Sequence, residues 1–110
     1  MSYDAGLAER VKACFETSPE IETRRMFGGL AFLIRRHLIC CVYDDELITR
    51  VAPAEQASAL SREHVHSMDF AGRPMAGFVV VEPAGMASED ALGAWIEPAL
   101  AFASALPPKI

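Results

Sequence analysis

Leu30-Ala31-Phe32-Leu33-Ile34, Leu38-Ile39-Cys40-Cys41-Val42-Tyr43 and Leu47-Ile48-Thr49-Arg50-Val51 form three strand-like runs in close succession. Only Arg35-Arg36-His37 and Asp44-Asp45-Glu46 separate them. A parallel crossover needs a dozen residues or more, so connections this short force antiparallel neighbours. Upstream, Ile21–Met26 joins the set across Gly28-Gly29. Four strands in a meander follow.

Reading outward, Tyr3 to Glu16 has Tyr3, Leu7, Val11, Cys14 and Phe15 on one helical face, with Ser2 or Asp4 as cap and Thr17-Ser18-Pro19 as stop. Pro53 opens a short helix to about Ser61, with Ala57 and Leu60 expected to face inward. Met68-Asp69-Phe70 leads through Ala71-Gly72 into a strand ending Phe78–Val81, and Pro74 places its stretch at a sheet edge or bulge. Ser88 caps a last helix, with Glu89 and Asp90 in its first turn. Its apolar stripe is Leu92, Trp95, Ile96, Ala99, Leu100 and Ala103, and Trp95 is expected near Phe32 or Val80. The stripe continues through Pro98, so a kinked helix is expected rather than two helices, ending at Pro107-Pro108. The expected fold is α+β and two-layered, in the order α-β4-α-β-α. Its antiparallel sheet has about five strands, and residues 1–110 make a single domain.

Several of these strands are apolar at nearly every position, which is how a strand reads when both faces are covered. Three helices on one face cannot cover both. Either the last helix wraps round or a second copy of the chain shields the far side, and a homodimer is the expected solution.

Composition sets the class. The 110 residues are 52% hydrophobic and 23% charged, enough for a packed core and against extended disorder. No signal-peptide pattern or membrane-length apolar run is present, so the expected location is cytoplasmic, with no membrane contact. Residues 24–73 hold seven of the ten basic residues but six acids accompany them, and the net charge is −5. That footprint argues against direct nucleic-acid binding. Cys14, Cys40 and Cys41 are an odd number, and neighbours on a strand point to opposite faces, so buried free thiols in a reducing compartment are expected.

Two stretches stand out: Arg24-Arg25-Met26-Phe27-Gly28-Gly29-Leu30 and Met68-Asp69-Phe70-Ala71-Gly72-Arg73-Pro74-Met75. Together with Ala94-Trp95 and Leu106-Pro107-Pro108-Lys109, they resemble the N-terminal domain of the TfoX (Sxy) competence-regulator family, over about Asp4 to Lys109. The resemblance implies an antiparallel sheet with helices packed on it. Longer members are transcriptional coactivators with a helical C-terminal domain, and this chain resembles the stand-alone, single-domain members.

The candidate sites are few. Gly28-Gly29 lacks the Lys-Ser/Thr of a phosphate loop and is read as turn chemistry, as is Gly72. Asp69 and Arg73 flank a turn and can pair across it; alternatively Arg24, Arg25 and Arg73 converge on a carboxylate, a phosphate or a partner. His64-x-His66 has no carboxylate or cysteine at ligand spacing, so both are read as solvated loop residues, with His37 elsewhere. No catalytic residue, metal or cofactor is assigned. The expected function is a small regulatory or protein-interaction module whose protein partner is not identified. A small-anion binder and an enzyme are the two rivals.

Overall fold

A computed structural model describes residues 3–18, 20–26, 28–70 and 73–107, with the side chains of residues 69, 70, 73 and 74 outside that description. Helix α1 (Ala5–Cys14) starts where Asp4 Oδ1 accepts from the Leu7 backbone N–H at 2.9 Å. The meander comprises β1 (Ile21–Met26), β2 (Gly29–Ile34), β3 (His37–Tyr43) and β4 (Glu46–Arg50). A 3-10 turn at Pro53–Glu55 runs into the short helix α2 (Gln56–Leu60). Two further strands follow, β5 (Val65–Phe70) and β6 (Arg73–Val81), and helix α3 (Glu89–Ala105) closes the fold.

The sheet is antiparallel and has six strands in the order β1-β2-β3-β4-β6-β5, one more than expected. The addition is β5, whose polar content disguises an edge strand. The β2–β3 turn places Arg35 and Arg36 at φ 48° and 71°, and the β3–β4 turn places Asp44 at φ 53°. Both are two-residue hairpin turns built without glycine; the β3–β4 turn is held by the Asp4 N–H, which donates to Asp44 O at 2.7 Å, and the β2–β3 turn by side chains. Arg35 donates from Nη1 to Ser104 O at 3.1 Å and pairs with Glu20, while the buried His37 donates from Nε2 to Pro107 O at 2.6 Å. These contacts tie the hairpin to the end of α3.

All three helices contribute to one hydrophobic core. Leu7, Val11, Ala59, Leu92, Trp95, Ile96 and Ala103 meet Phe32, Ile39, Cys40, Val42, Leu47, Val79 and Val81 there. Helix α3 runs unbroken through Pro98 as a single helix capped by Ser88, whose Oγ accepts from Ala91 N–H at 3.0 Å. Trp95 shares the core with Phe32 and donates from Nε1 to Gly85 O at 3.3 Å. Val80, the alternative neighbour, belongs to the row that faces away from the helices, level with Cys41 and Ile48. In α2 it is Ala59 that is buried, with Leu60 partly so; Ala57 is exposed. Five residues make little more than one turn, too short for a spacing argument to identify the inward side. Ser2, Pro19 and Pro108, expected at helix ends, lie outside the described residues.

The other sheet face carries a small cluster of its own: Ala31, Leu33 and Cys41, with Met26, Leu38 and Ile48 packed against it. No described helix joins it. A register shift between Phe32 and Leu33 turns both Ile39 and Cys40 toward the helices and Leu38 toward this second cluster.

Candidate functional site

Four polar side chains gather where β4, β5 and β6 end together. Leu47 lies opposite Val81, so Glu46 lies one step on, opposite Glu82. Val65 also lies opposite Val81, and the Glu82 N–H donates to His64 O at 2.8 Å, which places His64 on the other side of Glu82. His66 lies opposite Val80, two positions from Glu82 and therefore on the same face. His64 Nδ1 stands 3.8 Å from Glu82 Oε1, and His66 Nδ1 stands 3.3 Å from Glu82 Oε2. One donor atom each from Glu46, His66 and Glu82 all lie within 4.8 Å of one another.

This corrects the reading of His66 as a solvated loop residue; His64 does lie in the exposed turn before β5, as expected, but it too stands beside Glu82. His66 is in a strand, and two carboxylates flank it. The carboxylates were missed because they belong to other strands and come together only through pairing that skips over α2. The available signal was the His-x-His spacing itself, which brings two imidazoles close together at the start of β5.

The arginines named from sequence are placed separately. Arg24 and Arg25 are neighbours on β1 and project to opposite faces. Arg24 pairs with Glu22 at 3.6 Å, and the Arg25 guanidinium stands 5.9 Å from the Tyr3 ring centroid. Following the register across the sheet, Arg24 is level with Val80, and three strands lie between β1 and β6. Arg73 begins β6, seven positions along the strand from Val80. Asp69 lies opposite Pro74 and Phe70 opposite Arg73, but the side chains of Asp69 and Arg73 are outside the described residues, as is Gly72 altogether. Gly28 takes φ 81° in the β1–β2 turn, and Gly29 opens β2 against the backbone of Val42.

A cleft of about 190 Å³ lies between α2 and α3, lined by Arg50, Glu55, Ala59, Arg62, Trp95 and Pro98. Arg50 is already engaged: its Nε donates to Leu38 O at 2.7 Å, its guanidinium stacks 4.7 Å from the Phe78 ring, and burial lowers its pKa. Arg62 stacks 4.3 Å from the Trp95 ring centroid. That leaves one guanidinium, with Glu55 in the same cleft, a poor match for an anion.

The thiols are not poised for chemistry. Burial raises the pKa of Cys40 far above that of a free thiol and pushes Cys41 up to about 11. Cys14 is half-buried, donates toward Arg10 O at 3.5 Å, and is raised by burial and then by Glu89 and Glu97. A reactive cysteine needs the opposite environment. Among the described residues, no helix is long and apolar enough to cross a membrane.

No curated protein and no solved structure matches the chain. The family model described as the TfoX N-terminal domain matches residues 13–103, which span the whole sheet and most of α3. The chain belongs to the TfoX N-terminal domain family.

Proposed function

We propose that this domain is a regulatory protein-interaction module that self-associates through the helix-free face of its sheet. One observation carries the reading: all three helices share one core, while the opposite face presents Met26, Leu38 and Ile48 only partly buried over Ala31, Leu33 and Cys41. Tyr43, at 43% exposure, extends the same face. An isologous dimer requires a self-complementary surface, and the Glu22–Arg24 pair supplies both charge signs at the rim. The regulatory part rests on family membership, since the longer relatives are transcriptional coactivators.

Light scattering after gel filtration tests the assembly. A particle of about twice the 12.0 kDa chain mass at micromolar concentration is expected. Ile48→Lys should return it to the single-chain mass without unfolding it, because a lysine at this half-buried position can extend its ammonium to solvent. A wild-type chain that elutes as a monomer under those conditions overturns the reading.

A further inference from the structure

We propose that His66, Glu82 and Glu46, completed by His64, form a binding site for a divalent transition-metal ion of the zinc type. A tetrahedral zinc site holds nitrogen and oxygen ligands about 2.0–2.2 Å from the metal, which puts the ligands about 3.4 Å apart. The three donor atoms already lie within 4.8 Å of one another. The remaining ångström or so is within reach of side-chain rotation, since His66 and Glu82 are each about half exposed.

The backbone supplies the convergence. Glu46 opens β4, Glu82 directly follows β6 and His64 directly precedes β5, so the three lie side by side at one end of adjacent strands, with His66 two residues beyond His64. His64 is held at φ 67°, a left-handed conformation that side chains other than glycine seldom adopt. It nonetheless brings its imidazole beside one oxygen of Glu82 while His66 takes the other.

Charge favours a cation. Glu46 and Glu82 are like charges facing each other on adjacent strands, an arrangement that costs stability. Among the described residues, no lysine or arginine pairs with either of them. A dication bound between the two carboxylates neutralises both.

The donor set selects the ion. Imidazole nitrogen mixed with carboxylate oxygen suits zinc and its neighbours in the first transition row, while magnesium and calcium prefer oxygen throughout. No thiol takes part: Cys41 shares the face but lies three strand spacings from His66, about 14 Å. Solvent exposure leaves room for a water ligand and points to micromolar rather than tighter affinity.

Calorimetric titration of tag-free protein with Zn²⁺ at pH 7.5 tests the site, with Mg²⁺ as the contrasting ion. One Zn²⁺ per chain is expected, and Mg²⁺ should give no comparable heat. His66→Ala and Glu82→Gln should each weaken binding at least tenfold, Glu46→Gln and His64→Ala by less, and Cys14→Ala should leave it unchanged. Melting curves of each variant in chelator verify folding before titration. Should His66→Ala fail that check, Co²⁺ bound to the wild-type chain gives the same answer spectroscopically, as nitrogen and oxygen ligation without a thiolate charge-transfer band. Zinc affinity insensitive to both His66→Ala and Glu82→Gln, a thiolate band with Co²⁺, or no binding below millimolar Zn²⁺ overturns the proposal.

Discussion

The two faces of the sheet are built from the same strands, yet they are buried by different means. On one, Phe32, Val42, Leu47 and Val81 lie under side chains delivered by three helices. On the other, Met26, Leu38 and Ile48 from the sheet itself pack against Ala31, Leu33 and Cys41, and no described helix joins them. Cys40 and Cys41, adjacent in sequence, belong one to each face. Low exposure alone therefore does not identify the covering element. The helix-covered face holds most of the stabilising burial, and the open face keeps small residues dry while leaving its larger ones available.

The largest expected effect breaks or supports that division directly. Trp95 is 5% exposed, is the largest residue in the helix-covered core, and makes an Nε1 hydrogen bond. Trp95→Ala should cost about 3–5 kcal/mol in chemical denaturation. Ile48→Ala, at a half-buried position on the open face, should cost about 1 kcal/mol. Equal losses at the two sites would show that the open face is as firmly packed as the other.

Gly29 probes the packing of the open face. A Cβ there would lie 2.5 Å from the carbonyl oxygen of Val42 and 2.9 Å from Cys41 Sγ. The oxygen belongs to the β2–β3 ladder and cannot step aside, so Gly29→Ala should destabilise by about 2 kcal/mol. A loss of a few tenths, the ordinary entropic range for glycine, would mean that β2 shifts freely against β3.

Much of this architecture was legible in the sequence because its signals are local. Three-residue connections imply hairpins, Asp4 and Ser88 announce helix starts, and the continuous stripe from Leu92 to Ala103 outweighs Pro98. β5 was missed because Val65-His66-Ser67-Met68 is a polar edge strand without clean alternation. The His/Glu cluster was missed for a different reason. Glu46, His66 and Glu82 meet only when β6 pairs β4 on one side and β5 on the other, an order that no spacing within the chain reveals.

The adjacent thiols offer a matched pair of probes. Native-state labelling should reach Cys14 first, Cys41 next and Cys40 last, following their exposure. Alkaline stability gives a second reading. In the unfolded chain these thiols ionise near 9.0, whereas in the folded chain Cys41 stays protonated to about 11. Above pH 9 the unfolded state therefore binds fewer protons than the folded one, and stability falls as pH rises. The loss should approach about 1 kcal/mol per pH unit for each buried thiol, with no effect below pH 8. Urea midpoints at pH 8 and pH 10 measure it, and Cys40→Ala and Cys41→Ala should each flatten the dependence. A dependence unaltered by either substitution would place the alkaline transition elsewhere.

The smallest expected effect concerns one polar atom on the helix-covered face. Thr49 pairs with Cys40 on one side and Val79 on the other, both core residues, and is itself fully buried. Its Oγ1 has no hydrogen-bond partner among the described residues. A buried hydroxyl without a partner costs on the order of 1–3 kcal/mol in lost hydration. Valine has nearly the same shape, suits a strand and carries no polar atom. Thr49→Val should therefore stabilise the fold by about 1 kcal/mol, read as a higher urea midpoint at unchanged slope. The same exchange at Thr23, exposed on edge strand β1, should change little and controls for strand propensity. If Thr49→Val instead lowers the midpoint, the hydroxyl has a partner in solution, such as a buried water, and the helix-covered face is less dry than its burial implies.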